Sequence, residues 1–68
     1  MGDLKTIGLA IMKARQAKGM SQEDLAGATD IARNYISKIE NGHVSFSVPV
    51  LLKIAKALEM EPGKLLKS

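Results

Sequence analysis

The sequence predicts an all-α protein of five short helices, with a single domain spanning residues 1–68. Three observations lead to this fold class. Apolar residues recur every three or four positions along nearly the whole chain, which is the period of an amphipathic helix. No stretch alternates apolar and polar residues with the period of two that a strand requires. Residues that begin or end helices separate the apolar segments from one another.

The first two predicted helices are separated by a glycine and a serine. The first helix runs from about Leu4 to Lys18 and ends at Gly19, because glycine readily adopts the left-handed conformation that follows many helices. Ser21 is a suitable N-cap for the second helix, about Gln22 to Ala28, and Asp24 is the acidic partner of a capping box. The first helix is expected to bury Leu4, Ile7, Ile11 and Ala14.

Three further helices complete the predicted fold. The third covers about Ala32 to Glu40 and ends at Asn41-Gly42. Ser47 caps the fourth helix, and Pro49 is tolerated in its first turn. Glu61-Pro62-Gly63 begins a brief fifth helix. The expected core residues of these three helices are Ile36, Ile39, Leu51, Leu52, Ile54, Ala55, Leu58, Leu65 and Leu66.

Composition removes several classes of site. A chain of 68 residues is near the lower limit for a single apolar core, and it has no cysteine for disulfides or a zinc ribbon. His43 is the only histidine and has no second ligand at metal spacing, so we expect neither metal nor cofactor. No apolar run approaches the length of a membrane span, and we expect a cytoplasmic protein with no membrane partner.

Charge and aromatic content bear on the type of partner. The formal net charge of +3 permits nucleic-acid binding without requiring it. Tyr35 and Phe46 are the only aromatic residues, whereas proteins that read single strands or RNA normally stack bases on several aromatic side chains. A nucleic-acid partner would therefore be double-stranded DNA.

Residues 22–41 have the anatomy of a helix-turn-helix. Two helices of about two turns each cross over a short turn, and Ala26 is small enough for the close approach. Asp30 lies where the turn needs a residue that tolerates positive φ. Ile36 and Ile39 anchor the second helix from beneath, while Leu25 and Ile31 fill the angle between the helices. The polar side chains left facing outward are Arg33, Asn34, Ser37 and Lys38, which suit base edges and phosphates in a major groove.

Three segments carry a resemblance to a known family. They are Met20-Ser-Gln-Glu-Asp-Leu-Ala26, Tyr35-Ile-Ser-Lys-Ile-Glu-Asn-Gly42 and Leu51-Leu-Lys-Ile-Ala-Lys-Ala-Leu58. Together they resemble the Cro/cI repressor superfamily, also called the XRE family, from about Ile7 to Leu66. The resemblance implies a compact five-helix lambda-repressor-like fold. It also implies sequence-specific binding of double-stranded DNA by a transcriptional regulator of the repressor or controller type.

The resemblance assigns roles to particular residues. A helix over about 32–40 would read bases in the major groove through Ala32, Arg33, Asn34, Ser37 and Lys38. Contacts to phosphates would come from Ser21, Gln22, Tyr35, Asn41 and His43. Arg15 and Glu40 match a pair that ties the first helix to the end of the third, a structural contact that would set the angle of the reading helix.

Departures from the family pattern predict local weaknesses and an interface. Asp30 stands where most members have glycine, so the turn carries some strain. Ala32 replaces the usual serine or threonine cap, which forfeits about 1 kcal/mol of helix stability.

Several apolar residues also look more exposed than expected, namely Leu9, Met12, Val44, Phe46, Val48 and Val50. A homodimer on a palindromic operator would use Phe46, Val48, Val50 and Met60 as its interface.

An alternative function remains open for the same fold. The domain could be an antitoxin or bridging module that covers a protein partner, such as a toxin or a polymerase subunit, with its exposed apolar side chains. An enzyme is not expected, because the chain has no cysteine, one histidine, no glycine-rich phosphate loop and no pair of buried acids.

Overall fold

The computed structural model describes residues 3–66 and contains, within that range, helices and no strand. The five helices are α1 (Leu4–Ala17), α2 (Gln22–Thr29), α3 (Arg33–Glu40), α4 (Val48–Ala57) and α5 (Pro62–Leu66). The predicted all-α class and the order of the helices are confirmed. Ala32, which was placed inside the third helix, is instead the residue before its first turn.

Local side-chain chemistry determines where three of the helices begin. The Thr6 backbone N–H donates to Asp3 Oδ1 at 2.8 Å and caps α1. At α2 the predicted capping box is present, because Ser21 Oγ accepts from the Asp24 N–H while Asp24 Oδ2 accepts from the Ser21 N–H, each at 2.9 Å. Ser47 caps α4. Ala32 makes no side-chain cap to α3, because a methyl group accepts no hydrogen bond.

Two left-handed residues produce the turns on either side of α2. Gly19 has φ 71° and follows α1, and the Met20 N–H donates to the Arg15 carbonyl at 3.0 Å across this turn. Asp30 has φ 59° and separates α2 from α3, as the sequence predicts. A non-glycine residue in this conformation carries strain, which aspartate tolerates better than bulkier side chains do.

The core lies where the inner faces of all five helices meet. It consists of Ile7, Ile11, Leu25, Ile36, Ile39, Leu51, Ile54, Ala55, Leu58 and Leu65. Three leucines that the periodicity assigns to the core are exposed instead: Leu4 is 38% exposed, Leu52 49% and Leu66 40%. Leu52 directly follows the buried Leu51 and points about 100° away from it around α4, in a direction that the other helices leave exposed.

Several apolar residues predicted to be exposed are instead partly buried. Phe46, Val44 and Val50 are half-buried and pack against the core, so the expectation that they are unusually exposed is wrong for all three. Met12 is also half-buried, whereas Leu9 and Val48 are exposed as predicted. The Phe46 side chain therefore packs against the protein's own core.

Two glycines allow α1 to lie directly on the end of α3. A Cβ added at Gly8 would come within 2.3 Å of the Ile39 carbonyl oxygen and 2.7 Å of the Glu40 carbonyl oxygen. A Cβ at Gly42, where φ is 72°, would lie 2.7 Å from the Lys5 Cα. Neither approach was predicted, although a glycine in the middle of a helix signals a packing reason because it weakens the helix. The backbone of α1 thus sets the position of α3.

Candidate nucleic-acid interface

The outer face of α3 is polar and accessible. Arg33, Asn34 and Lys38 are exposed, as is Ala32 before the first turn, and Ser37 is half-buried. The opposite face buries Ile36 and Ile39 completely, at 0% and 1% exposure. Of the residues predicted to read bases, Arg33, Asn34, Ser37 and Lys38 thus lie on a helix that its apolar residues hold from beneath, and Ala32 immediately precedes it.

A buried ion pair braces the end of α3 against α1. Arg15 donates from Nε to Glu40 Oε2 at 2.7 Å and from Nη2 to Glu40 Oε1 at 3.1 Å, while its Nη1 donates to the Met20 carbonyl at 2.8 Å. The exposed fractions of the Arg15 and Glu40 side chains are 10% and 2%. The hydrogen bond to Glu40 raises the pKa of Arg15 despite the opposing effect of burial. This bidentate pair limits how far α3 can rotate relative to α1.

Gln22, the first residue of α2, lies between this ion pair and the outer face. Its Nε2 donates to Glu40 Oε1 at 3.0 Å, and its Oε1 accepts from Arg33 Nη1 at 3.2 Å. The sequence predicts a phosphate contact for Gln22 but not these two bonds. They join residues far apart in the chain, and no local pattern marks them.

The other residues predicted to contact phosphates use polar atoms within the protein. The Tyr35 hydroxyl donates to the Ser45 carbonyl at 3.0 Å and so ties α3 to the following loop. Asn41 Nδ2 donates to the Ser37 carbonyl at 2.9 Å, at the end of α3. His43 is exposed, and its backbone N–H donates to the Lys38 carbonyl at 2.9 Å. A phosphate contact by Tyr35 or Asn41 would have to share these groups or replace their internal bonds.

Ser21 and Asp24 form an exposed cap at the start of α2. The Ser21 backbone N–H, followed by its hydroxyl, lowers the pKa of the Asp24 carboxyl by stabilising its ionised form. Ser21 thus already has a hydrogen-bond partner for its side chain in the protein. The first-turn acids Glu23 and Asp24 also suit the positive end of the helix dipole.

Exposed apolar side chains lie outside this polar face. Val48 and Leu52 are four residues apart on α4 and are 67% and 49% exposed, while Leu66 lies on α5, which packs against α4. Of the four residues predicted for a dimer interface, Val48 is the exposed one, whereas Phe46, Val50 and Met60 are half-buried against the core. We refer to Val48, Leu52 and Leu66 as the α4–α5 patch.

A separate open groove lies on α1, lined by Thr6, Leu9, Ala10, Lys13, Ala14 and Met60.

Within residues 3–66, His, Asp and Glu side chains nowhere form a group of three or more suited to a metal ion. Over the same range, each helix is too short or too polar to cross a bilayer.

Comparison with known proteins was made on the sequence and on the fold. Residues 11–65 match the family model HTH_3, described as helix-turn-helix. Control protein C.BamHI of Bacillus amyloliquefaciens is 43% identical over 60 residues, which cover 87% of this chain and 74% of that protein.

Solved structures give the same relationship. The restriction-modification controller protein C.AhdI from Aeromonas hydrophila has a TM-score of 0.89 and 39% identity, covering 91% of this chain and 94% of that one. The controller protein C.Esp1396I, as a tetramer in complex with its natural 35 base-pair operator, has a TM-score of 0.84 and 36% identity, covering 94% and 84%.

Proposed function

The chain belongs to the helix-turn-helix family HTH_3, and from that premise we propose that it regulates transcription by binding duplex DNA as a homodimer. In this proposal α3 enters the major groove and each subunit reads one half of a two-fold operator. The similarity to C.BamHI and C.AhdI favours the controller type of regulator, and we place one domain over residues 1–68.

The observation that carries this proposal is the division of α3 into two faces. Ile36 and Ile39 are buried, and Arg33, Asn34 and Lys38 project into solvent. Arginine pairs with guanine O6 and N7, and asparagine pairs with adenine N6 and N7. The Arg15–Glu40 ion pair at the end of α3 restricts rotation of the helix, so its outer side chains keep a constant angle. Recognition of base edges requires such a fixed geometry.

Contacts to the DNA backbone are part of the same proposal. The start of α2 offers Ser21 and Gln22 to a phosphate, where backbone N–H groups and the helix dipole favour an anion. Tyr35 within α3, and Asn41 and His43 just after its end, complete the proposed set. The net charge of +3 attracts DNA over a distance, although it specifies no sequence.

The α4–α5 patch favours the dimer. Val48, Leu52 and Leu66 are large apolar residues that a monomer leaves in water, and two copies related by a two-fold axis can cover them with the same residues. We place Leu52 in this interface beside Val48. Phe46, Val50 and Met60 are half-buried and pack on the chain's own core, so they offer less surface to a second subunit.

A second candidate function is binding of a protein partner, as an antitoxin or bridging module does. The groove on α1 favours it, because Leu9 is 41% exposed there beside Met60. For both candidate functions we propose that the protein acts in the cytoplasm and has no enzymatic activity. Strong binding of a toxin or polymerase subunit that is unaffected by changes to Arg33 and Asn34 would favour this second function.

The test is selection of bound sequences from random duplexes, followed by a salt titration. We expect a two-fold motif, and an affinity for it that falls steeply with salt because phosphate contacts release counterions. Arg33→Ala should weaken binding to the selected site by about 1–3 kcal/mol and relax preference at one base position in each half-site.

Asn34→Ala is the companion variant and should relax a different position. Equal losses for Arg33→Ala on the selected site and on random DNA would contradict base reading by Arg33. Failure to recover any motif would contradict the proposed function itself.

A further inference from the structure

Both polar atoms of the Gln22 side chain make hydrogen bonds within the protein. Which of the two atoms faces which partner has a physical cause. The Glu40 carboxylate, which already accepts two bonds from Arg15, also accepts one from Gln22 Nε2 at 3.0 Å. A carboxylate accepts hydrogen bonds and donates none, so the nitrogen of the Gln22 amide must face Glu40 and its oxygen must face away. Glu40 therefore decides which way the Gln22 amide points.

The outward-facing amide oxygen provides an acceptor at the edge of the interface. It accepts from Arg33 Nη1 at 3.2 Å, although Arg33 itself is exposed. A long exposed arginine otherwise samples many rotamers, and binding a base requires that this freedom be lost. A guanidinium carries more N–H groups than one acceptor uses, so Arg33 can keep this bond and still present others to a base.

We infer that Gln22 is a positioning residue for Arg33, and that it transmits the orientation of the buried Arg15–Glu40 pair to the base-reading side chain. The inference rests on the proposed function and adds a specificity determinant to it. Gln22 contributes to selectivity by ordering Arg33 before DNA arrives, in addition to any phosphate it binds. The contacts run from α1 through Glu40 at the end of α3 to the start of α2 and back to the first residue of α3.

The first experiment needs no DNA. NMR relaxation of the Arg33 Nε–Hε group measures the mobility of this side chain in the protein. Gln22→Met keeps the length of the side chain and removes both polar atoms, so Arg33 should become more mobile. Gln16→Met, the same change at an exposed position of α1, should leave Arg33 unaffected. Equal Arg33 mobility in the protein and in Gln22→Met overturns the inference.

The second experiment measures selectivity for the base pair that Arg33→Ala identifies. The ratio of affinities for the selected duplex and for a duplex changed at that pair should fall roughly two- to tenfold in Gln22→Met, as expected from the entropy of one immobilised side chain. In the Arg33→Ala background, Gln22→Met should leave the ratio unchanged, because nothing remains to be positioned. Gln22→Asn is a second variant; its shorter amide cannot span both partners, and the ratio should fall in the same way.

The outcomes separate three cases. If Gln22→Met weakens both duplexes equally and leaves the salt slope unchanged, as expected for a neutral side chain that releases no counterion, Gln22 is a phosphate contact only, which overturns the inference and keeps the proposed function. Thermal unfolding of each variant controls for a general loss of structure, which would weaken both duplexes without changing their ratio. If the unmodified protein selects no duplex at all, the proposed function fails, and the NMR comparison still tests the contact.

Discussion

At the scale of single residues, polar side chains in and around α3 make hydrogen bonds within the protein. Arg15 and Glu40 satisfy one another in a largely buried position, where removing either partner would leave an unpaired charge. The Tyr35 hydroxyl and the Asn41 amide, both predicted to contact phosphates, instead donate hydrogen bonds to the backbone carbonyls of Ser45 and Ser37. Their contribution to DNA binding remains a prediction, and it is one that competes with a contact already present.

Acid should weaken the exposed helix caps. Asp24 has a lowered pKa because it accepts from Ser21, and Asp3 has a lowered pKa because it accepts from Thr6. A folded-state pKa below the unfolded value means that the unfolded chain binds more protons. This contribution is therefore present at neutral pH and is lost as the pH falls below the ordinary aspartate value of 3.8.

Urea unfolding as a function of pH checks this expectation against Asp24→Asn, which lacks the titrating group. The difference in unfolding free energy between the protein and the variant should shrink as the pH falls from about 6 to about 2.5. A difference that stays constant over this range would contradict the role of the Asp24 carboxylate.

At the scale of elements, the approach of α1 to α3 determines the orientation of α3, the helix proposed to read bases. The two helices touch through backbone at Gly8, with no side chain between them. The Arg15–Glu40 pair then holds the same two helices together farther along α1. Two independent contacts, one steric and one ionic, give α3 a single orientation.

Gly8→Ala and Gly27→Ala form a matched pair that tests this packing. A Cβ at Gly8 would meet the Ile39 and Glu40 carbonyl oxygens, so the helices must separate and stability should fall by about 1–3 kcal/mol. A Cβ at Gly27 in α2 meets no atom within 4 Å, so the same change should stabilise the protein by up to about 1 kcal/mol through helix propensity.

Urea unfolding of both variants measures these changes in free energy. Equal stability for Gly8→Ala and the unmodified protein would contradict the close approach. In Gly8→Ala the displaced carbonyls belong to the end of α3, so DNA selectivity should fall along with stability.

At the scale of the whole molecule, a small core leaves apolar surface uncovered. Among residues 3–66, ten form the core, while Val48, Leu52 and Leu66 are exposed on α4 and α5. Small domains are marginally stable because they bury a modest fraction of their surface. A second subunit that covers the α4–α5 patch would add buried area and would fix the spacing of two α3 helices on DNA.

Leu52→Glu should disrupt this dimer, because it puts a charge within the α4–α5 patch. Sedimentation equilibrium should show self-association weakened by more than about tenfold, which corresponds to about 1.4 kcal/mol. Leu9→Glu is the matched control, since Leu9 is similarly exposed but lies on α1, and it should leave self-association unchanged. A protein that stays monomeric both in solution and on a two-fold duplex would contradict the dimer.

Features that depend on near neighbours in the chain can be predicted from the amino-acid order alone. The order of the helices, the capping box at Ser21 and the left-handed turn residue at Asp30 all follow from side chains within a few positions of one another. The polar outer face of α3 can also be predicted, because the helical period alone places Asn34 and Lys38 on the side away from Ile36.

Only the tertiary structure decided the features that depend on distances between helices. It exposed Leu52, buried much of Phe46 and brought Gly8 against the carbonyls of α3. It also placed Gln22 between Glu40 and Arg33. Hydrophobic periodicity states which face of a helix is apolar, but how much of that face is covered depends on the neighbouring helices and on how closely their backbones approach.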